Sequence, residues 1–149
     1  MMKKQIFYTM SVCMLQIAFI TSCTNSSDKV TLGKAKTEIL VESSNSWNGD
    51  SIPPYRAGTP KLTISKITVP PKTRMSWHYH PMNEGAIILK GELIVEDDLG
   101  REIHLKEGDA LIEMVNRIHF GRNETDKETI IYSFYAGVKE LENSIEKEP

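Results

Sequence analysis

The chain has 149 residues, of which 40% are hydrophobic and 26% are charged, and its formal net charge is −2. This length suits one domain with a single hydrophobic core, and the composition is that of a folded protein, which excludes two ordinary domains and a disordered chain. Because no stretch concentrates Lys and Arg, nucleic acid is excluded as a partner.

The first 22 residues differ in character from the rest. A basic pair, Lys3 and Lys4, precedes an uncharged apolar run over residues 6–20, and the sequence ITSC follows, ending at Cys23. A run of about 15 residues is shorter than the roughly 20 that a membrane-spanning helix needs, so it favours a cleaved signal peptide over residues 1–22. The sequence ITSC resembles the lipobox of bacterial lipoproteins, which implies lipidation of Cys23. A plain secretory signal and a short transmembrane helix are the alternatives.

These features predict a protein of the cell envelope, lipid-anchored to a bacterial membrane through Cys23, with its domain outside the cytoplasm. Residues 24–36 are rich in Ser, Thr, Asn and Lys, which predicts a flexible tether over residues 23–38. Cys13 and Cys23 are the two cysteines of the chain. We therefore expect neither a disulfide nor a thiol ligand in the folded domain.

From residue 39 onward, short apolar runs recur between turn residues. Residues 39–60 predict an N-terminal arm lying across the domain, with a floppy extension as the alternative. The following runs, rich in Ile, Val, Leu and aromatic residues, predict strands at residues 62–69, 87–89, 92–96, 102–105, 110–115 and 129–135. Gly, Asp and Asn separate them. Evenly spaced short strands with no helical pattern between them favour an all-β sandwich or barrel, here over residues 61–137.

The last segment, residues 138–149, has a different pattern. Val138, Leu141 and Ile145 recur at positions i, i+3 and i+7 among charged residues. This spacing predicts a C-terminal tail or one short amphipathic helix.

Candidate metal ligands occur in two places. His78 and His80 are one residue apart, so in a strand their imidazoles face the same side and can converge on one ion at about 2.1 Å. Glu84 follows after a Pro-containing turn, and closure of a barrel can bring His119 to the same point. Three imidazoles and a carboxylate suit Mn, Fe, Co, Ni, Cu or Zn and disfavour Ca or Mg. On its own, the His-x-His pair is also compatible with two exposed strand residues.

Two stretches are similar to the two motifs of the cupin superfamily. The first is His78-x-His80-x3-Glu84-x6-Gly91. The second is Gly108-x5-Met114-x-Asn116-x2-His119-x3-Asn123. The chain departs from the family pattern at three positions outside the ligand set, with Lys72 and Asn116 in place of glycine and Met114 in place of proline. Lys72 follows two prolines and Asn116 tolerates left-handed backbone geometry, so we expect both turns to survive.

The resemblance implies a small all-β jelly-roll (double-stranded β-helix) barrel, with one divalent transition metal held by His78, His80, Glu84 and His119. Four ligands on an octahedral ion leave two positions open, as a catalytic metal requires. Cupins include dioxygenases, isomerases, decarboxylases and lyases, which implies a metal-dependent, oxygenase-like enzyme acting on a small organic molecule. Glu84 would act as general base if it left the metal.

Two alternatives to an enzyme stay open. One is a non-catalytic module that binds a small ligand or a metal, and the other is a structural β-domain whose ion only stabilises the fold. Small cupin domains pair through their sheets, which by analogy implies a homodimer.

The remaining polar and aromatic residues of note have simpler interpretations. His104 matches no ligand position and is interpreted as an ordinary strand residue. Arg117 is favoured as a solvated loop residue over a partner for a substrate carboxylate. Five aromatic side chains are predicted to line or cover the barrel, namely Trp77, Tyr79, Phe120, Tyr132 and Phe134.

Overall fold

The fold is given by a computed structural model, which describes residues 32–149. Residues 37–149 form one compact unit. The predicted signal peptide, the lipidation site Cys23 and most of the predicted tether lie outside the described residues. Within the described range, no helix has the length and apolar character to cross a membrane.

Ten strands make up the secondary structure of the described residues. They are β1 (Pro60–Val69), β2 (Thr73–Arg74), β3 (His78–Tyr79), β4 (Asn83–Lys90), β5 (Glu92–Asp97), β6 (Glu102–Lys106), β7 (Ala110–Ile112), β8 (His119–Asn123), β9 (Thr129–Val138) and β10 (Ile145–Glu146). Every pairing between them is antiparallel. The all-β jelly roll expected from the sequence is confirmed.

The strands form two sheets. The first has the order β1-β9-β4-β7, and the second has the order β10-β3-β8-β5-β6, with β2 also paired to β8. Inward-facing aliphatic side chains from both sheets meet in one core cluster, consisting of Val69, Ala86, Ile88, Leu93, Val95, Leu105, Leu111 and Ile131. The histidine-bearing strands β3 and β8 are neighbours in the second sheet, while β4, which carries Glu84, belongs to the first.

Alternation along β9 decides which of its side chains enter the barrel. Ile131, Ser133 and Tyr135 are buried, whereas Phe134 is 46% exposed on the outer face. Because successive strand residues point to opposite sides of the sheet, Phe134 must face outward when its neighbours Ser133 and Tyr135 face inward. The prediction that Phe134 lines or covers the barrel is therefore wrong.

The predicted C-terminal helix is also wrong. Strand β9 continues to Val138, and β10 pairs with β3 in a register that places Ile145 opposite Tyr79. Lys147 N donates a hydrogen bond to Trp77 O at 3.0 Å. A segment this short gains little from helix formation alone, whereas the edge of β3 offers unpaired backbone groups, so pairing prevails.

The two turns that depart from the family pattern keep their geometry. Lys72 and Asn116 have φ values of 51° and 57°, and they are the non-glycine residues with positive φ within residues 32–149. Asn116 N donates a hydrogen bond to His80 O at 2.9 Å. The left-handed turn at Asn116 therefore links the two histidine-bearing stretches, as the sequence led us to expect.

Candidate metal centre

Three of the four histidines meet inside the barrel. His78 lies in β3, His80 follows the same strand, and His119 begins β8, directly opposite His78 in the sheet register. The ring centroids are 4.5 Å apart for His78 and His119, 5.0 Å for His78 and His80, and 5.1 Å for His80 and His119. One nitrogen from each ring lies within 4.8 Å of the others, and all three residues are buried.

Backbone carbonyls fix the orientation of all three rings. Each Nδ1 lies 2.8 to 2.9 Å from a carbonyl oxygen, which is that of Ser76 for His78, Asn143 for His80 and Arg117 for His119. Because a carbonyl only accepts, each Nδ1 must carry the proton, and the lone pair of the neutral ring is on Nε2. Metal-binding histidines are typically held in this way.

Burial favours the neutral, ligand-competent form of His78 and His80. It lowers the pKa of the His80 imidazole to about 4. Burial, together with the neighbouring His119, also lowers the pKa of His78. A neutral imidazole is the form that binds a metal.

Glu84 reaches the same region from the facing sheet. It is 5% exposed, and its Oε2 lies 3.1 Å from Nε2 of His80, although it is not part of the three-histidine group. Burial raises the pKa of the Glu84 carboxyl well above its usual range, and the negative charge of Glu113 raises it further. Hydrogen bonds from Ser133 and Tyr135 act in the opposite direction.

The residues present fit a metal ion. Glu84 Oε2 and His119 Nε2 are buried and have no hydrogen-bond partner in the protein. Buried acceptors without donors are costly, and a cation between them would satisfy both. Since the donors are nitrogen and oxygen with no sulfur, the set suits the transition metals named above.

Glu113 is a site residue that the motifs did not indicate. It is 7% exposed, directly follows β7 and faces inward, with its Oε2 3.8 Å from Nε2 of His119. Oε2 also accepts hydrogen bonds from the Trp47 indole at 3.3 Å and from Met114 N at 3.2 Å. The sequence could have indicated Glu113, because it lies two residues after the apolar Leu111 in a predicted strand and therefore shares the inward face of that residue.

A cavity of about 240 Å³ adjoins the histidines and both carboxyl groups. Its wall is largely aliphatic, with Ile67, Ile88, Leu93, Val95, Leu111 and Ile131 among the lining residues. Among the described residues, no Lys or Arg lines it. Water occupies about 30 Å³ per molecule in the liquid, so the space suits a small organic molecule.

The other polar residues considered from the sequence lie elsewhere. Arg117 lines a separate surface pocket and pairs with Asp98 at 3.1 Å and with Asp50 at 3.7 Å. His104 projects from β6 into solvent and contacts Glu102 at 3.3 Å. His104 agrees with the interpretation favoured from the sequence, whereas Arg117 lies outside the metal cavity but is half-buried and paired with carboxylates, so it is not simply a solvated loop residue.

Comparison with known proteins agrees with the fold. Residues 65–135 match the protein family described as "Cupin domain". A search of curated proteins found no match. The matched segment is a little under half of the 149-residue chain, contains the three clustered histidines and most of the two-sheet barrel, and is similar to cupin domains over that range.

Solved structures with the same fold come from several organisms. A DMSP lyase from Ruegeria pomeroyi is 22% identical with a TM-score of 0.53, covering 59% of this chain and 44% of the lyase. An uncharacterized conserved protein with a double-stranded β-helix domain from Klebsiella pneumoniae is 22% identical with a TM-score of 0.52, covering 80% of this chain and 100% of that one. An oxalate decarboxylase from Lactobacillus farciminis, in a formate complex, is 19% identical with a TM-score of 0.51, covering 60% of this chain and 27% of the decarboxylase.

These similarities define the fold and not the activity. The chain spans less than half the length of the lyase and about a quarter of the decarboxylase.

Proposed function

We propose that this protein is a metal-dependent cupin enzyme of oxygenase-like type that acts on a small organic molecule in the barrel cavity. One divalent transition metal would be held by His78, His80, Glu84 and His119. The observation that carries the proposal is the convergence of three imidazoles, each fixed through Nδ1 by a backbone carbonyl, beside a cavity. The metal would supply Lewis-acid or redox chemistry to a molecule bound next to it.

The chain's own residues have distinct parts in this proposal. The aliphatic wall of the cavity excludes water and holds the apolar part of the substrate. Glu84 is the proposed catalytic carboxyl, because it lines the cavity and burial raises its pKa above the usual range, which favours the protonated form of the carboxyl when no metal is bound. Ser133 and Tyr135 line the cavity beside that carboxyl, with Tyr135 opposite Glu84 in the register of β4 and β9.

The test is metal analysis of protein purified from its own cell envelope fraction, followed by turnover assays. We expect one transition metal per chain, with oxygen consumption or substrate loss by the Fe or Mn form on at least one member of a panel of small, mainly apolar metabolites. His104→Ala is the matched control, since it removes an exposed histidine, and it should keep both the bound metal and the turnover. Protein that retains no metal, or is inactive throughout the panel, would count against the proposal.

A second candidate is a binding module that captures a small molecule without changing it. It is favoured by the cavity wall, which away from the histidines and carboxyls is largely aliphatic. The same panel separates the two functions. Recovery of a tightly bound ligand unchanged after prolonged incubation with the metal-loaded protein would favour the module.

We also propose that the protein is a lipoprotein of the cell envelope, anchored through Cys23. The support is the basic pair, the apolar run and the sequence ITSC before the tether. Metabolic labelling with a fatty acid should label the protein, and cell fractionation should recover it with the membranes. Cys23→Ser should abolish labelling; persistent labelling of that variant would contradict the assignment.

A homodimer is the proposed assembly. The outer face of the first sheet exposes Leu62, Ile64 and Phe134, with exposed fractions of 82%, 70% and 46%. An apolar face of this kind on a sheet is typical of a protein interface. Sedimentation velocity should give a dimer that Ile64→Lys dissociates, whereas Leu99→Lys, at an exposed turn, should leave it intact. A monomeric wild-type protein would refute the proposal.

A further inference from the structure

Two buried carboxyl groups, those of Glu84 and Glu113, face the same cavity. Glu113 N donates a hydrogen bond to Glu84 O at 3.0 Å, so the two residues lie side by side on neighbouring segments. Their side chains are 3% and 9% exposed. Each carboxyl stands next to a different histidine, Glu84 beside His80 and Glu113 beside His119.

We propose that Glu113 is a further ligand of the metal, so that three histidines and two carboxylates hold the ion. The inference rests on the metal site proposed above. Two donor atoms each about 2.1 Å from one ion lie about 3.0 Å apart at a right angle and about 4.2 Å apart on opposite sides. The separation of 3.8 Å between Glu113 Oε2 and His119 Nε2 falls in this range, as does that of 3.1 Å between Glu84 Oε2 and His80 Nε2.

Charge balance supports the second carboxylate. Adjacent buried carboxylates repel each other and lose hydration, which is costly unless a cation compensates them. Within residues 32–149 no Lys or Arg lines the cavity that both groups face. Three neutral imidazoles and two carboxylates carry two negative charges, which a divalent ion neutralises.

Trp47 is a positioning residue in this arrangement. Its backbone N donates to Ile112 O at 3.0 Å, which fixes the arm against the end of β7. Its indole then donates to Glu113 Oε2 at 3.3 Å, a length at which the bond orients the carboxylate while competing weakly for its lone pairs. The arm thereby takes part in the metal site without contributing a ligand.

The experiment compares Zn²⁺ affinity, measured by competition with a chromogenic chelator, among the wild-type protein, Glu113→Gln, Glu84→Gln and Glu107→Gln. Glutamine keeps an oxygen that accepts the Trp47 hydrogen bond, so Glu113→Gln removes the charge while preserving the contact with the arm. Glu107 is exposed and serves as the control for loss of one negative charge. We expect Glu113→Gln to weaken binding by at least about tenfold and Glu107→Gln by less than about twofold.

Trp47→Phe tests the positioning role, and we expect it to lose less Zn²⁺ affinity than Glu113→Gln does. The absorption spectrum of bound Co²⁺ should also change in this variant, because the ligand geometry changes. If Glu113→Gln fails to fold, Glu113→Asp retains the charge on a shorter side chain and should bind more weakly. Wild-type affinity in Glu113→Gln, with Glu84→Gln impaired, would overturn the inference and leave the metal site standing. Absence of Zn²⁺ binding by the wild-type protein would overturn both.

Discussion

Substitution of Asn123, the last residue of β8, gives the strongest single test of how the barrel is held closed. The residue is 1% exposed. Its Nδ2 donates to the carbonyls of Val69, Pro70 and Lys127 at 3.2, 3.0 and 2.7 Å. Its Oδ1 accepts from the backbone N and the hydroxyl of Thr125 at 3.0 and 2.8 Å. One amide thus connects the end of β1, the end of β8 and the turn before β9.

Replacement of Asn123 by Ala should cost about 3–5 kcal/mol of unfolding free energy. Each buried group that loses its partner costs about 1–3 kcal/mol, but the effects overlap. In the variant the Thr125 hydroxyl, released from Asn123 Oδ1, can donate instead to Lys127 O, which is 3.0 Å away, and this limits the total loss. Since domains of this size are stable by about 5–15 kcal/mol, the variant should fold with a clearly reduced denaturation midpoint.

Asn123→Asp adds a pH signature. The introduced carboxylate would face three carbonyl oxygens, which raises its folded pKa above the unfolded value of about 3.9. Its stability relative to wild type should therefore improve as pH falls through the raised pKa, where the protonated carboxyl can donate a hydrogen bond.

Urea denaturation at about pH 7.5 and about pH 5 measures both effects. Asn45→Ala is the control, because Asn45 is exposed and accepts one bond, from Ser51. A loss below about 1 kcal/mol for Asn123→Ala would refute the reasoning, since surface substitutions reach only about 0.5 kcal/mol.

Three further predictions concern the metal site and one turn. Metal at about 100 times its dissociation constant should stabilise the wild-type protein by about 2.7 kcal/mol in thermal unfolding; His119→Ala should lose this rise and His104→Ala should keep it. Burial lowers the pKa of His80 to about 4, below the unfolded value of about 6.5, so in metal-free protein its contribution to stability should fall by up to about 3 kcal/mol as pH drops from 6.5 toward 4. Urea titrations that show the same pH dependence in His80→Gln would contradict this. Lys72 has a φ of 51°, so the unfolding free energy of Lys72→Gly in urea denaturation should exceed that of Lys72→Ala by about 1 kcal/mol. Equal denaturation midpoints for the two variants would exclude backbone strain at this position.

Much of the fold could be predicted because it depends on local periodicity. Alternating apolar residues and turn residues indicated most of the barrel strands, and the motif spacing indicated the left-handed turns at Lys72 and Asn116. His78 and His80 were expected on one face because side chains two residues apart in a strand point the same way. That information is present in a few consecutive residues.

The errors arose where distant segments compete for the same backbone groups. Residues 138–149 have helical spacing, yet the open edge of β3 takes up β10. Which of two adjacent apolar residues in β9 faces inward also depends on its neighbours, because both faces of that strand are apolar, and Phe134 was assigned to the wrong one.

The sequence by itself determined that this protein is a strand-rich barrel carrying histidines in two motif-like stretches, since strand alternation and turn geometry are local properties. Only the tertiary structure decided which polar groups surround the histidine cluster. Pairing of β4 with β7 places Glu113 beside Glu84, and the arm brings Trp47 to it from far away in the chain. The physical reason is that sheet register and barrel closure are set by the packing of the whole core, and no local pattern encodes the contacts that follow from them.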